Sequence, residues 1–280
     1  MLELLDYPFM RYALAAAVVT GLTAPAIGTF LVQRRLALLG DGIGHVALTG
    51  VALGLLTGTA PVLTAVIAAT LGALAIELMR TYARTSGDVA LAMLFYGGIA
   101  AGVMLINLAG DSAATLNSYL FGSIVTVSPD DLTVIAILGG IVLVAVLAAT
   151  PQLFAVCQDE EHARVSGVPV RWYGILIAVL AAVTITVAMR TVGLLLVSAL
   201  MVVPVAAAQQ VARSFRATHL LAMGLGLLAA IVGVIASFEI DTQPGPTIVL
   251  TAMLCFAVLA AARGVMTLTG RWRRRPLELG

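Results

Sequence analysis

The sequence predicts an all-α fold: a polytopic, integral membrane helical bundle in which residues 1–280 form a single transmembrane domain. Hydrophobic residues make up 61% of the 280 residues and charged residues only 10%, whereas an ordinary globular domain carries roughly 25% charged residues. The mean hydropathy is +1.09, and the apolar character continues from Met10 to Ala262. So few charges cannot cover a surface that faces water, and the apolar side chains must therefore face a bilayer.

Nine apolar segments are candidates to cross the membrane, which takes about 20 residues as a helix. They are residues 10–32, 42–56, 61–79, 89–108, 132–150, 172–189, 192–211, 220–238 and 247–262. The second segment is short and rich in glycine, so a half-helix or a strongly tilted helix is expected there. About eight or nine transmembrane helices are therefore predicted.

The arginines predict the orientation, because cytoplasmic loops of membrane proteins are rich in basic residues. All 15 basic residues are arginine, and 13 of them fall inside when loop 151–171 and tail 264–280 are cytoplasmic. Only Arg11 and Arg190 fall outside, on the side that also holds Asp130 and Asp131. The basic tail is expected to bind anionic lipid at the membrane surface. The net charge of +1 says nothing about acidic partners, and no nucleic-acid partner is expected.

Asp41 and His45 are the candidate metal ligands, because ionisable residues inside apolar spans are costly and mark functional sites. Four residues apart, they share one face of a helix at about 5–6 Å, so that a carboxylate and an imidazole can hold one divalent cation. Neighbouring glycines, Gly40, Gly42, Gly44 and Gly50, allow another helix to approach closely. In a purely structural interpretation, Asp41 is an N-cap and His45 bonds a carbonyl.

Residues 156–171 form the longest polar interruption in the chain and are expected to hold a short cytoplasmic helix. Asp159 can cap this helix, Glu160 and Glu161 suit its positive end, and Gly167 followed by Pro169 ends it. A functional interpretation is a helix that docks into a cleft on a separate soluble protein. The alternative is an ordinary loop between two spans.

Five blocks of sequence resemble the permease subunits of bacterial zinc, manganese and iron ABC importers. In the order in which that family has them, they are RRLALLGDGIGHVALTGVALG, SYLFGSIVTVSPDDL, DEEHARVSGVPV, MRTVGLLLVSALMVVPVAAAQQVAR and DTQPGPTIVL. The ordered set covers almost the whole chain, which makes it far more specific than any single apolar block.

The resemblance implies a bundle like that of type II ABC importers, working as a homodimer in the bacterial cytoplasmic (inner) membrane. It implies that Asp41 and His45 contact the transported metal, and that an extracytoplasmic metal-binding protein delivers it. It also implies that a cytoplasmic ATP-binding subunit docks through Asp159, Glu160, Ala163 and Gly167. The sequence contains no GxxxxGK[ST] phosphate-binding loop, so the chain is predicted to be a transport subunit that borrows its ATPase.

Zinc is the predicted cargo, with manganese or iron as alternatives, because an imidazole favours zinc and a carboxylate favours manganese or iron. No permanently bound cofactor is expected. A secondary metal transporter driven by an ion gradient, or a membrane scaffold that transports nothing, remains as an alternative function. Glu77 and His219 are expected to be solvated at the cytoplasmic side.

Overall fold

The computed structural model describes residues 7–82, 87–110, 113–123 and 127–273, and these residues are helical throughout apart from turns. The helices are α1 (Pro8–Gln33), α2 (Leu39–Thr57), α3 (Pro61–Tyr82), α4 (Gly87–Ala109), α5 (Ala113–Phe121), α6 (Pro129–Gln158), α7 (Glu160–Val165), α8 (Val170–Ala188), α9 (Val197–Val211), α10 (Phe215–Ile240) and α11 (Pro244–Arg273). The predicted all-α membrane bundle is confirmed. The last part of the predicted basic tail, residues 274–280, lies outside the described residues.

Eight of the described helices are long and apolar enough to cross a membrane. The seventh predicted span, residues 192–211, is shorter than expected, because α9 begins only at Val197 and has 15 residues. At about 1.5 Å per residue, α9 is roughly 22 Å long, less than the hydrocarbon core of a bilayer. The residues before it form turns whose backbone groups bond to the end of α5.

Of the two alternatives expected for residues 42–56, the half-helix is wrong, and the strongly tilted helix stays a prediction. Helix α2 runs for 19 residues, from Leu39 to Thr57, and is long enough to cross the membrane. Its glycines do not break it, because each one lies where a neighbouring helix packs. For example, a Cβ on Gly50 would lie only 2.7 Å from the Cα atom of Ala65 on α3.

The interior of the bundle is formed by α1, α2, α8 and α9. Fully buried side chains on these helices include Phe30, Ile43, Ile185 and Leu200. The outer faces of α3, α4, α6 and α11 expose large apolar side chains, among them Leu71, Tyr96, Val144 and Leu254. Such faces suit contact with lipid or with another membrane-embedded chain.

The loops predicted to be cytoplasmic meet at one end of the bundle. Gln33, Gln158 and Arg213 line one cavity of about 220 Å³ there, although they come from three different parts of the chain. Helix α6 was expected to end at Thr150, but it continues through Pro151 to Gln158. The predicted docking segment 156–171 therefore contains only six residues of separate helix, α7.

The opposite end carries the short helix α5, which the sequence analysis did not predict. Backbone N–H groups of Leu194 and Leu195 donate to the carbonyl oxygens of Tyr119 and Leu120, at 3.0 and 3.2 Å.

Arg190, one of the two arginines that break the orientation pattern, donates to Asp131 at 2.6 Å. An ion pair therefore compensates the charge of Arg190 at the end of the bundle that is predicted to be external.

Two ionisable residues expected to be solvated are buried. The side chain of His219 is packed between the rings of Phe30 and Phe215, with centroids 5.5 and 5.9 Å away. Neither ring nitrogen of His219 has a hydrogen-bond partner among the described residues. Glu77 is also buried, beside Gly174 of α8. The sequence places both near a helix end, but tertiary packing covers them.

Candidate metal site and docking helix

Asp41 lies in the first turn of α2, but it does not cap the helix. The N-cap residue is Leu38, whose side chain makes no capping hydrogen bond. The carboxylate of Asp41 instead accepts a hydrogen bond from the hydroxyl of Ser198, at the start of α9. This geometry removes the capping interpretation and fixes the carboxylate between two helices.

His45 lies one turn further along α2, half-buried like Asp41. Its ring meets the ring of Phe95 edge-to-face, with centroids 4.4 Å apart and planes at 79°. No hydrogen bond of the His45 ring to a carbonyl is seen within the described parts of the chain. A nitrogen lone pair is therefore not committed to a structural hydrogen bond there.

Close backbone contacts hold α2 on both sides. A Cβ on Gly98 of α4 would lie 2.8 Å from the carbonyl carbon of His45, so only glycine fits. The hydroxyl of Thr49 donates to the Gly98 carbonyl at 2.9 Å. On the other side, a Cβ on Gly40 would lie 3.0 Å from the Cβ of Ser198. The expectation that glycines let helices approach α2 is confirmed.

A cavity of about 350 Å³ leads to Asp41. Its lining consists of Leu38, Asp41, Leu91, Ala92, Phe95 and Tyr96. Tyr96 is 69% exposed and Leu38 is 67% exposed, so the wall of this cavity reaches the surface of the bundle. The carboxylate of Asp41 therefore lines a cavity that opens at the surface of the bundle and is otherwise mostly apolar.

One chain supplies too few ligands for a closed metal site. Across the described residues, no group of three or more His, Cys, Asp and Glu side chains is arranged to hold a metal ion. Asp41 and His45 provide one oxygen ligand group and one nitrogen, whereas a structural zinc site has four protein ligands. The pair is suited to holding a cation weakly, or to sharing it with ligands from another chain.

Three of the four residues predicted to couple to an ATPase, Asp159, Ala163 and Gly167, determine the shape of α7. Asp159 caps the helix by accepting from the backbone N–H groups of Glu161 and His162, both at 2.9 Å. Ala163 is buried against α6 and α8, and Gly167 ends the segment with a left-handed backbone, φ 83°. The predicted cap and stop signals are confirmed.

The outward face of α7 is formed by other residues. Glu161, Arg164 and Val165 are exposed, and Val165 is the most exposed large apolar residue of the described chain, at 83%. Glu160 points the other way, towards the bundle, and pairs with Arg34. Neither Arg34 nor Ser198 was singled out by the sequence analysis, since their partners lie 126 and 157 residues away.

A sequence model described as the ABC 3 transport family matches residues 6–263. The chain belongs to this family. The match covers all the transmembrane helices except the last residues of α11, so the similarity to the family extends over the whole bundle. The resemblance found in the five sequence blocks is confirmed.

Three relatives illustrate the family. The manganese transport system membrane protein MntC of Halalkalibacterium halodurans is 32% identical over 275 residues, covering 97% of this chain and 94% of that protein. The chelated iron transport system membrane protein YfeD of Yersinia pestis is 33% identical over 254 residues, covering 90% and 84%. The high-affinity zinc uptake system membrane protein ZnuB of Haemophilus influenzae is 29% identical over 246 residues, covering 88% and 94%.

Among solved structures, PsaBC from Streptococcus pneumoniae in complex with Fab contains a chain of the same fold. The TM-score is 0.83 at 30% identity, over 91% of this chain and 92% of that one. Family membership, the relatives and the eight apolar helices together make this ABC 3 chain a multi-pass permease subunit of the bacterial inner membrane.

Proposed function

We propose that this ABC 3 permease carries a divalent transition metal ion into the cytoplasm, and that Asp41 and His45 contact the ion on its way. The observation that carries the proposal is the position of this pair. The two side chains lie one turn apart on α2, half-buried, and the cavity at Asp41 reaches the surface of the bundle. The relatives that transport manganese, chelated iron and zinc support a metal as the cargo.

The permease is proposed to work as a homodimer. A second copy facing the cavity would bring a second carboxylate and a second imidazole, giving four ligand groups around one ion. The exposed rim residues Leu38 and Tyr96 are apolar or amphipathic and suit burial in such an interface. Four groups shared between two chains can separate, so that the ion is released when the subunits move.

ATP hydrolysis is assigned to a separate cytoplasmic subunit that docks on α7, and metal delivery to an extracytoplasmic binding protein. The exposed Val165, between the charged residues Glu161 and Arg164, supports the docking role, because an apolar side chain exposed on a capped helix favours burial in a partner. No cofactor is bound permanently, because the metal is the cargo.

Zinc stays the predicted cargo, on the strength of the imidazole of His45. Manganese is the second candidate, because the hydroxyl of Ser198 adds an oxygen beside the carboxylate of Asp41, and manganese prefers oxygen ligands. The relatives named for manganese and for chelated iron have 32% and 33% identity, and the one named for zinc has 29%.

The test is uptake of radioactive zinc and manganese into liposomes that hold the permease and its ATPase, with and without ATP. We expect ATP-dependent uptake of one metal, which His45→Ala abolishes. Leu53→Ala, at an exposed position further along α2, is the matched control and should retain uptake. Uptake without the ATPase would instead establish a secondary transporter. Normal uptake by His45→Ala would disprove the assigned site.

A further inference from the structure

We propose that Arg34 transmits the movement of the docking helix α7 to the metal pair on α2. The proposal rests on the proposed function, since it assumes that an ATPase acts on α7 and that Asp41 and His45 hold the cargo. It adds a positioning residue that contacts neither the ATPase surface nor the metal. Four features of the cytoplasmic end of the bundle support it.

The first feature is a set of three contacts that join the end of α1 to the end of α6 and the start of α7. In chain order they are the Cys157 thiol to the Phe30 carbonyl at 3.8 Å, the Gln33 amide to the Gln158 side-chain oxygen at 3.2 Å, and the Arg34 guanidinium to the Glu160 carboxylate. Along both segments, the paired residues follow each other in the same order. The two segments are therefore fastened side by side, and α7 cannot move far without pulling on α1.

The second feature is the burial of Arg34. Its side chain is only 5% exposed, whereas that of its partner Glu160 is 45% exposed. Glu160 thus stands at the surface on the docking helix, and Arg34 reaches inward from it. An ion pair between a buried and a half-exposed side chain is screened less than a surface pair and is geometrically more demanding.

The third feature is what lies at the inner end of Arg34. Its Nη1 atom is 3.5 Å from the point where a Cβ on Gly174 would be, and the carboxylate of Glu77 crowds the same point. Glu77 belongs to α3 and Gly174 to α8. The guanidinium therefore lies where α1, α3 and α8 meet, with α7 on its outer side. A displacement of Glu160 would move the guanidinium and thereby change the contacts among these helices.

The fourth feature is the short, stiff connection from Arg34 to the metal pair. The N–H of Leu36 donates to the Leu31 carbonyl at 2.8 Å, and the N–H of Leu39 donates to the Leu36 carbonyl at 3.0 Å. These bonds close a compact turn between α1 and α2, so that α2 begins directly after it. Asp41 comes seven residues after Arg34, in the first turn of α2. A displacement of Arg34 therefore also displaces the end of α2 that carries Asp41 and His45.

The test uses the full permease with its ATPase in liposomes and measures metal uptake and ATP hydrolysis in the same sample. Arg34→Gln removes the ion pair, and Arg35→Gln is the matched control, because Arg35 is the adjacent arginine and is exposed. We expect the number of metal ions imported per ATP to fall at least about tenfold in Arg34→Gln, and to stay at the wild-type value in Arg35→Gln. A merely structural role would lower both rates together and leave their ratio unchanged.

A second pair of variants approaches the contact from the docking helix. Glu160→Gln removes the same ion pair at a half-exposed position, so it is expected to fold even if Arg34→Gln does not. Its control is Glu239→Gln, which changes an exposed glutamate outside the docking helix, near the end of α10. Co-purification of the ATPase with both variants separates loss of docking from loss of transmission. The proposal requires that Glu160→Gln still co-purifies with the ATPase but imports fewer metal ions per ATP than the wild type.

Failure of this proposal and failure of the proposed function give different results. If the wild-type permease imports no metal in an ATP-dependent way, the proposed function is wrong. If the wild type imports metal, and Arg34→Gln and Glu160→Gln keep its ratio of metal to ATP, only the transmitting role of Arg34 is wrong.

Discussion

The hydroxyl of Ser198 donates a hydrogen bond to the carboxylate of Asp41, across 157 residues of sequence. This bond joins the start of α9 to the start of α2 and holds one of the two candidate metal ligands in place. Groups that orient a ligand in this way commonly change metal affinity when removed, because the free ligand must be ordered again on binding. The bond therefore makes Ser198 a part of the candidate site.

Ser198→Ala is expected to weaken metal binding by about tenfold or more, while the bundle still folds. The half-saturating metal concentration for uptake is the measurement. Thr133→Ala is a suitable control, because the exposed Thr133 hydroxyl donates to the Pro129 carbonyl of its own helix. An unchanged half-saturating concentration in Ser198→Ala would remove this residue from the site.

Two adjacent glycines on α4 give a matched test of how closely α2 and α4 pack. A Cβ at Gly98 would collide with the backbone of His45, whereas a Cβ at Gly97 would meet nothing within 4 Å. We expect Gly98→Ala to cost about 1–3 kcal/mol, because backbone cannot yield as a side chain can. Gly97→Ala should be neutral or slightly stabilising, since alanine favours helix. Thermal unfolding of the detergent-purified proteins measures both, and equal midpoints would contradict the packing described.

The ion pair between Asp131 and Arg190, at the end predicted to be external, predicts a loss of stability in Asp131→Asn. Asp131 bonds both Arg190 and the capping residue Ser128, and the guanidinium also lies 5.3 Å from the centre of the Tyr119 ring. Loss of a charged hydrogen bond of this kind costs about 2 kcal/mol. Asp130→Asn, at an exposed neighbouring position, should cost less than about 1 kcal/mol. A similar unfolding midpoint in the two variants would show that the pair contributes nothing.

His219→Phe is expected to stabilise the protein. His219 is 3% exposed, and both ring nitrogens lack hydrogen-bond partners among the described residues. A polar group buried in this way costs about 1–3 kcal/mol, and phenylalanine suits a site between Phe30 and Phe215. The unfolding midpoint should rise in this variant and stay constant in His162→Phe, where the histidine is exposed. A lower midpoint in His219→Phe would mean that the imidazole is stabilising.

Local signals in the sequence were sufficient for part of this structure. The apolar segments identify the long helices, and Asp159 and Gly167 mark the two ends of α7, because capping depends on neighbouring residues alone. The spacing of Asp41 and His45 likewise places both on one face of α2. Each of these inferences concerns residues that lie within a few turns of each other.

Features that depend on distant partners escaped prediction. The late start of α9 follows from backbone bonds between residues 194–195 and the end of α5, which apolar periodicity does not record. In the sequence, Ser198 is one serine in an apolar segment, and only the packing of α9 against α2 shows that its hydroxyl bonds to Asp41. His219 was expected in solvent because it lies near a helix end, and only the packing of α1 against α10 shows that it is covered.

The contact between Gly98 and His45 also has a consequence for protein engineering. Because α4 meets the backbone of α2, and not only its side chains, the two helices form a unit that cannot be exchanged piecemeal. A chimera that takes α2 alone from a relative would bring in a helix shaped against a different partner. A transplant intended to change metal selectivity should therefore carry residues 39–57 and 87–109 together.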